Sequence, residues 1–454
     1  MASTYLTRTP SSTGTQTKFT FSFWVKITSA SNGADKAIFS SGSNSSNYYM
    51  IRFTSGDQLQ ILSKDNGNNQ INYNTNRVFR DTNAWFHIVL AHDTTQSSGS
   101  RIKYYVNGEQ VSSFQSSVEP SASANILYVN DTTVHAWGRR NYNSDLYTDM
   151  VLSHVHFCDG YAYQASDFGS TDSTTGEWKI NTSPSVSYGT NGYFILKDGN
   201  SVTDQSPNTN NWTVGGGTLT KTEDCPSNVF ATLNPLDKGY VSSAINLANG
   251  NTTTMNTSGH GDYGVRSTLG VDSGKFYWEV KIGSNSSQNA FGILPTDVRL
   301  IFDMFGSTPE ANLYGVQRQT SSATNLYNNT TFITGNTAWN GAITSSDVVG
   351  FALDMDNGKL YLSKNGAFKD LSGYTSNLSS GTYPTFTIAD TSKTYSFYVE
   401  MRTNDNNGLH VNFGQGFFGT TAISSEGTNA SGVGKFEYDV PTGFTALSTK
   451  GLNI

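Results

Sequence analysis

The chain has 454 residues, 28 basic and 35 acidic side chains, a net charge of −7, and only 14% charged residues. No block of Lys and Arg offers a phosphate-binding stripe, and no apolar run exceeds strand length, so neither nucleic acid nor a membrane span is expected. Aromatics at 13% supply the cores a disordered chain lacks, while Ser, Thr and Asn fill roughly a third of the sequence and helix formers are scarce.

Alternation with a period of two starts at Phe19-Thr20-Phe21-Ser22-Phe23-Trp24-Val25-Lys26-Ile27, placing Phe19, Phe21, Phe23, Val25 and Ile27 on one face of a strand. Further strands are predicted at 48–53, 59–62, 85–91 and 102–106. Asn107-Gly108, Asn191-Gly192, Asn357-Gly358 and Asn365-Gly366 are expected to form tight hairpin turns, because Asn and Gly accept the positive φ such turns need. Residues 167–256 are looser, with the Gly215-Gly216-Gly217 run. The pieces 193–196 and 211–214 are strand-like, the first completing the first domain and the rest reading as connector. A second strongly patterned region runs from Gly264 to about Phe444. The expectation is an all-β protein of two antiparallel sandwiches, residues 1–224 and 225–454, with Trp85 and Trp278 packing between sheets and helix confined to single turns.

Phe21-Ser22-Phe23-Trp24-Val25, then Ala84-Trp85-Phe86-His87-Ile88-Val89-Leu90-Ala91-His92-Asp93, then Tyr104-Tyr105-Val106-Asn107-Gly108 occur in order. Together with Val155 to Gly160 and Asp167-Phe168-Gly169, they resemble the laminin-G-like, concanavalin-type jelly roll over about 2–168. Gly274-Lys275-Phe276-Tyr277-Trp278-Glu279-Val280, Val348 to Tyr361, Lys364-Asn365-Gly366, Tyr383-Pro384 and Val411-Asn412-Phe413-Gly414 are similar to the SPRY domain. The resemblance implies two concanavalin-like jelly rolls in tandem and says almost nothing of a ligand.

Glycan-cleaving relatives of that fold would carry paired carboxylates on one strand. No E-x-D-x-x-E segment exists, and Asp354 with Asp356 reads as a structural turn, as Glu437 with Asp439 reads as isolated. No G-x-S-x-G nucleophile elbow is present. His154, His156 and Cys158 fall on one strand face by spacing, which would suit zinc, but a fourth ligand is missing and packing between neighbours is the better account. A calcium loop with Gly at position six is likewise missing. No enzyme, no metal and no cofactor is expected. Cys158 and Cys225 are expected to be free thiols, since the first eight residues lack the apolar core of a secretory signal and a reducing cytoplasm follows.

The candidate ligand-binding residues are Trp137, Arg139, Arg140 and Tyr142 in the stretch His135-Ala136-Trp137-Gly138-Arg139-Arg140-Asn141-Tyr142, and Trp339 in Asn336-Thr337-Ala338-Trp339-Asn340. Both stretches read as loops with exposed aromatics. An aromatic face can stack on sugar C–H groups while Arg and Asn reach hydroxyls, and protein interfaces favour the same residues. A Trp that caps its own sandwich is the competing account. Tandem modules in this low-charge, Asn-rich style look like bacteriophage surface proteins such as tail fibres, receptor-binding tips or capsid decorations. The expected function is a non-enzymatic, homo-oligomeric virion surface protein that binds host-surface glycan or neighbouring virion proteins. The alternatives are a bacterial glycan-binding or glycan-cleaving surface protein and a peptide-recognising adaptor.

Overall fold

The structure, a computed structural model, describes residues 4–29, 33–197, 201–239, 245–256, 263–283, 289–300, 310–320, 323–401 and 405–453. Two compact units divide the chain, residues 1–221 with 225–227 and residues 222–224 with 228–454. Among the described residues helix is limited to two single 3-10 turns, Ala165–Asp167 and Gly451–Asn453, and no helix is long and apolar enough to cross a membrane.

In the first unit an eight-stranded sheet runs, edge to edge, Phe114–Val118, Asn68–Val78, Gln58–Asp65, Asn47–Phe53, Lys36–Asn44, His135–Trp137, Tyr5–Arg8 and Thr213–Gly216. A six-stranded sheet runs Tyr193–Ile195, Met150–Asp159, Lys18–Ile27, Phe86–Asp93, Ile102–Val106 and Glu109–Gln110. The alternating Phe19, Phe21, Phe23, Val25 and Ile27 all enter one core with Phe39, Tyr49, Ile51, Ile61, Ile88, Leu90 and Trp137. Burial of each such side chain contributes about 1.5–3 kcal/mol.

Thr20, Ser22, Trp24 and Lys26, on the opposite face, are buried as well. Residues 161–188 cover that face as a third layer, with Tyr163, Ala165, Phe168, Trp178 and Tyr188 packed on Val89, Tyr105, Cys158 and Phe194. Trp85 therefore does not sit between the sheets. Phe86, Ile88 and Leu90 occupy the inner face, so the same alternation turns Trp85 outward.

The connector reading of the looser stretch is corrected. Trp212 belongs to the first core, and Thr213–Gly216 pairs with Tyr5–Arg8 as an edge strand. Tyr193–Ile195 pairs with residues 155–157 and completes the smaller sheet. The second unit begins before Gly264. Ala231, Leu233 and Ile245 enter its core, and Leu233–Lys238 and Ile245–Ala248 stand at the ends of its two sheets.

That unit pairs Leu233–Lys238, Tyr263–Val271, Tyr395–Met401, Asn289–Pro295, Tyr314–Thr320, Ala323–Asn328 and Thr331–Ile333 in one sheet. The facing sheet is built on Ile245–Ala248, Thr253–Asn256, Asp405–Asn412, Lys275–Ile282, Val348–Asp354, Lys359–Lys364 and Ala367–Phe368. Trp278 lies between them, stacked on Phe351 at 5.3 Å and meeting Phe397 edge-on at 5.8 Å.

Two of the four expected Asn-Gly turns have positive φ at both residues, Asn107-Gly108 (49°, 82°) and Asn365-Gly366 (50°, 81°). A third such pair, Asn66-Gly67 (48°, 81°), joins Gln58–Asp65 to Asn68–Val78. At Asn357-Gly358 only the glycine has positive φ, and at Asn191-Gly192 neither residue does. Asn191 instead buries its side chain, donating to Ser12 O at 2.8 Å and Asn130 Oδ1 at 2.9 Å.

Candidate functional site

The expected loop at 135–142 is half strand. His135–Trp137 lies in the middle of the eight-stranded sheet, between Lys36–Asn44 and Tyr5–Arg8. Trp137 is 1% exposed, donates from Nε1 to Tyr193 Oη at 3.0 Å, and meets Phe21, Phe23 and Phe39 edge-on. A ring with no open face cannot stack on a sugar, so Trp137 is an anchor of the core. Trp137→Ala is expected to destabilise the first unit by about 3–5 kcal/mol, measured as a lowered calorimetric transition of the intact chain.

At Gly138 the chain leaves the sheet with φ of +92°, and a Cβ there would stand 3.0 Å from Thr4 O. Arg139 to Tyr142 then run over the outer face of the eight-stranded sheet. The Arg139 guanidinium lies flat over the Tyr5 ring, 3.6 Å from its centroid, and donates to Asn141 Oδ1 at 3.0 Å. Tyr5 can lie there because Gly215 and Gly216 leave room; a Cβ at Gly215 would be 2.2 Å from the ring. Arg140 grips Asp145 with two hydrogen bonds, Nε to Oδ1 at 2.6 Å and a second to Oδ2. This pairing raises the Arg140 pKa and lowers that of Asp145, so both stay charged. Tyr142 is half-buried against Tyr48 at 5.3 Å, with Met50, Leu62 and Leu146 around it.

Beyond this arginine–aromatic group the same face carries a chain of polar side chains. Arg52 Nε donates to Gln60 Oε1 at 2.7 Å, Gln60 Nε2 to Asn72 Oδ1 at 2.8 Å, and Asn74 Nδ2 to Gln115 Oε1 at 2.7 Å. The signal was present in the sequence, as polar partners of the inward Ile51, Ile61 and Tyr73. Nothing in one strand says that those partners line up across four. Fixed guanidinium and amide groups on a broad face suit hydroxyls or peptide carbonyls, because little side-chain entropy is lost on binding.

Trp339 lies in a turn, as expected, but is fully buried. It is part of the second core and directs Nε1 to Leu362 O at 3.4 Å. It too is an anchor, and only Arg139, Arg140 and Tyr142 of the expected binding residues reach a surface.

His154, His156 and Cys158 gather around one aromatic ring: His154 lies 5.7 Å from Phe194, and Cys158 belongs to the same cluster. A bulge lies between Ser153 and His156, with His154 at φ of +47°, and it shifts the inward parity from Leu152 to Val155 and Phe157. His156 stacks on Phe194 at 3.9 Å and meets Tyr188 Oη through Nδ1 at 2.9 Å. Among the described residues no group of three or more His, Cys, Asp or Glu could hold a metal ion.

The carboxylates singled out above hold turns. Asp354 accepts from Asn357 N at 3.0 Å and pairs with Lys275 at 3.0 Å, and Asp356 accepts from Gly274 N at 2.7 Å. Glu437 accepts from Ser424 N at 2.7 Å, and Asp439 from Thr428 N at 2.7 Å.

Both cysteines are free, Cys158 buried and Cys225 half-buried. Burial pushes the Cys158 thiol well above its usual range. A thiol reagent is therefore expected to label only Cys225 in the folded protein and both after unfolding.

Residues 2–160 match the family described as the concanavalin A-like lectin/glucanases superfamily (Laminin_G_3), and residues 275–402 match the SPRY domain. These matches and the two sandwiches define tandem modules of a lectin-like β-sandwich class that often mediates binding. The first is similar to the laminin-G-like, concanavalin-type jelly roll and the second to the SPRY domain.

Similar solved structures include the SPRY domain of human HERC1, 17% identical over 39% of this chain and 96% of that one with a TM-score of 0.30. Mouse laminin α1 chain domains LG4-5 are 8% identical over 96% and 92%, TM-score 0.29. The heptameric SAP-like pentraxin from Limulus polyphemus is 14% identical over 47% and 89%, TM-score 0.29. No curated protein sequence matches the chain.

Proposed function

We propose that the chain is a non-enzymatic binding protein of a bacteriophage particle surface, which meets a host-surface glycan or a neighbouring virion protein through its first module. The observation that carries the reading is the outer face of the eight-stranded sheet. There Arg139 and Arg140 are held in place by Tyr5 and Asp145 beside the half-buried Tyr142. Preorganised arginines next to an aromatic ring are characteristic of recognition surfaces. A non-catalytic reading is supported by the turn-holding roles of the acidic pairs at 354/356 and 437/439, neither of which is placed for general acid–base work. The low charge and high Ser, Thr and Asn content support the particle assignment.

The test uses the intact chain on a glycan array and, in parallel, antibody labelling of phage particles in a lysate. Arg140→Ala is expected to weaken array binding about tenfold, equivalent to about 1.4 kcal/mol, with a small change in melting temperature. Equal binding by Arg139→Ala, Arg140→Ala and the parent would remove the site. Particles that carry no label would remove the location.

A further inference from the structure

In the second unit, residues 369–385 form a loop closed by two bridges, Lys369 with Thr375 and Asn377 with Thr382. It carries two tyrosines that the cores do not use. Tyr374 is 61% exposed and Tyr383 50% exposed, and their rings stack with centroids 5.2 Å apart and planes 28° from parallel. Tyr383 holds a φ of +53°. A bulky residue rarely enters that region, and Pro384 behind it restricts the backbone further.

The conformation is held from outside the ring. Ser376 Oγ donates to Tyr383 O at 2.6 Å, and Asp370 Oδ1 accepts from Tyr374 N at 2.8 Å. A half-exposed ring gains little from burial, so packing within the unit does not account for the strain. Strain that the fold enforces without gain in the free protein is characteristic of ligand sites. The Tyr161–Tyr163 stack, 5.7 Å between centroids, differs: Tyr163 leans on Phe168 and its hydroxyl accepts from Ser187 N at 2.8 Å.

The same loop carries the hydroxyls and amide of Ser376, Asn377, Ser379, Ser380 and Thr382, several of them bonded to one another. One nearby cation, Lys359, is engaged, its Nζ donating to Gly381 O at 2.6 Å. Asp370 accepts from Ser372 N at 2.9 Å as well as from Tyr374.

We infer that Tyr374 and Tyr383 form a stacking platform for a neutral pyranose of an extended glycan. The C–H face of such a ring lies on an aromatic surface, and its hydroxyls reach flanking hydroxyl and amide groups. A polyproline peptide would instead require an aromatic-lined groove, which two near-parallel rings do not form. The inference stands on residues of the second unit and does not depend on the reading given for the first.

The test is affinity electrophoresis of the intact chain in gels containing dextran, mannan, galactan or β-1,3-glucan. Retardation is expected in at least one gel. Tyr374→Ala should weaken it at least about tenfold with an unchanged melting temperature. Tyr383→Gly, which relieves the positive φ, should lose retardation while melting at or above the parent temperature. The tyrosine variants are compared in an Arg139→Ala, Arg140→Ala background, so that any retardation due to the first-module surface is removed from the comparison.

No retardation of the intact chain in any of the four gels overturns the platform, as does retardation that survives both tyrosine substitutions. A lower melting temperature for Tyr383→Gly would make the ring a packing residue and overturn it too. Capture of a proline-rich peptide, lost in the same variants, would overturn it in favour of a protein ligand.

Discussion

At pH 5 the first unit is expected to melt on the order of 20 °C below its temperature at pH 7.5, while the second changes little. Burial lowers the pKa of His87 and His92 to about 3, that of His135 to about 4, and that of His156 well below its ordinary value. Hydrogen bonding fixes the neutral form at two of them. Trp178 Nε1 donates to His87 Nδ1 at 2.9 Å, and Asn130 N donates to His135 Nε2 at 3.1 Å. A proton on either nitrogen would face a donor.

In the unfolded chain these histidines take up protons below about pH 6.5, whereas the folded unit does not. Their stability contribution is therefore complete above that pH and is lost as pH falls. At pH 5 the loss is about 2 kcal/mol per histidine, on the order of 8 kcal/mol together, comparable with a domain's whole stability.

The second unit has an opposing group. Glu279, buried in the sheet, has its pKa raised to about 7 by desolvation, so its contribution is greatest below the unfolded value and fades as pH rises to about 7. From pH 7 to 5 this roughly offsets the loss at His410, whose pKa burial lowers to about 4. Calorimetry of the intact chain at the two pH values, with Trp137→Ala marking the first unit's transition, checks the result. Transitions that move together would refute it.

The second large effect is expected at Glu279 itself. Oε1 accepts from Tyr277 Oη at 3.0 Å and Tyr438 N at 2.8 Å, and Oε2 from Glu437 N at 2.9 Å and Asn412 Nδ2 at 3.3 Å. One carboxyl thus ties residues 437–438 to two strands of the same sheet. Glu279→Gln keeps the shape but turns an N–H donor toward groups that are themselves donors, so the comparison is made at about pH 8, where the parent carboxyl is ionised. The substitution should cost about 3 kcal/mol, and Glu279→Ala, which leaves two backbone N–H groups without a partner, somewhat more. The second unit's transition should fall by about 6–12 °C for the glutamine variant. A glutamine variant as stable as the parent would mean that the carboxyl's acceptor count is immaterial.

The cores were legible because alternation states parity directly. Phe19 to Ile27 sort to the inner face as read, and Trp278 lies where its strand phase puts it. Trp137 and Trp339 were harder to place. A Trp beside Gly and Arg looks like loop material, and only the pairing of His135–Trp137 with Lys36–Asn44 and Tyr5–Arg8 reveals a central strand. The arginine–aromatic surface was half legible. Arg139, Arg140 and Tyr142 were found by composition, but Tyr5, Asp145 and the amide chain from Arg52 to Gln115 come from positions scattered through the sequence.

The sequence by itself determined the all-β class, the two-module organisation and the residues facing between the sheets. These follow from side-chain periodicity and turn chemistry, which act over a few residues. What covers the other face of each sheet was decided by the tertiary structure. Alternation separates two faces without saying which meets water, so the third layer over Thr20, Ser22 and His156, the edge strand Thr213–Gly216 and the exposure of Tyr374 and Tyr383 all depend on contacts between segments far apart in the chain.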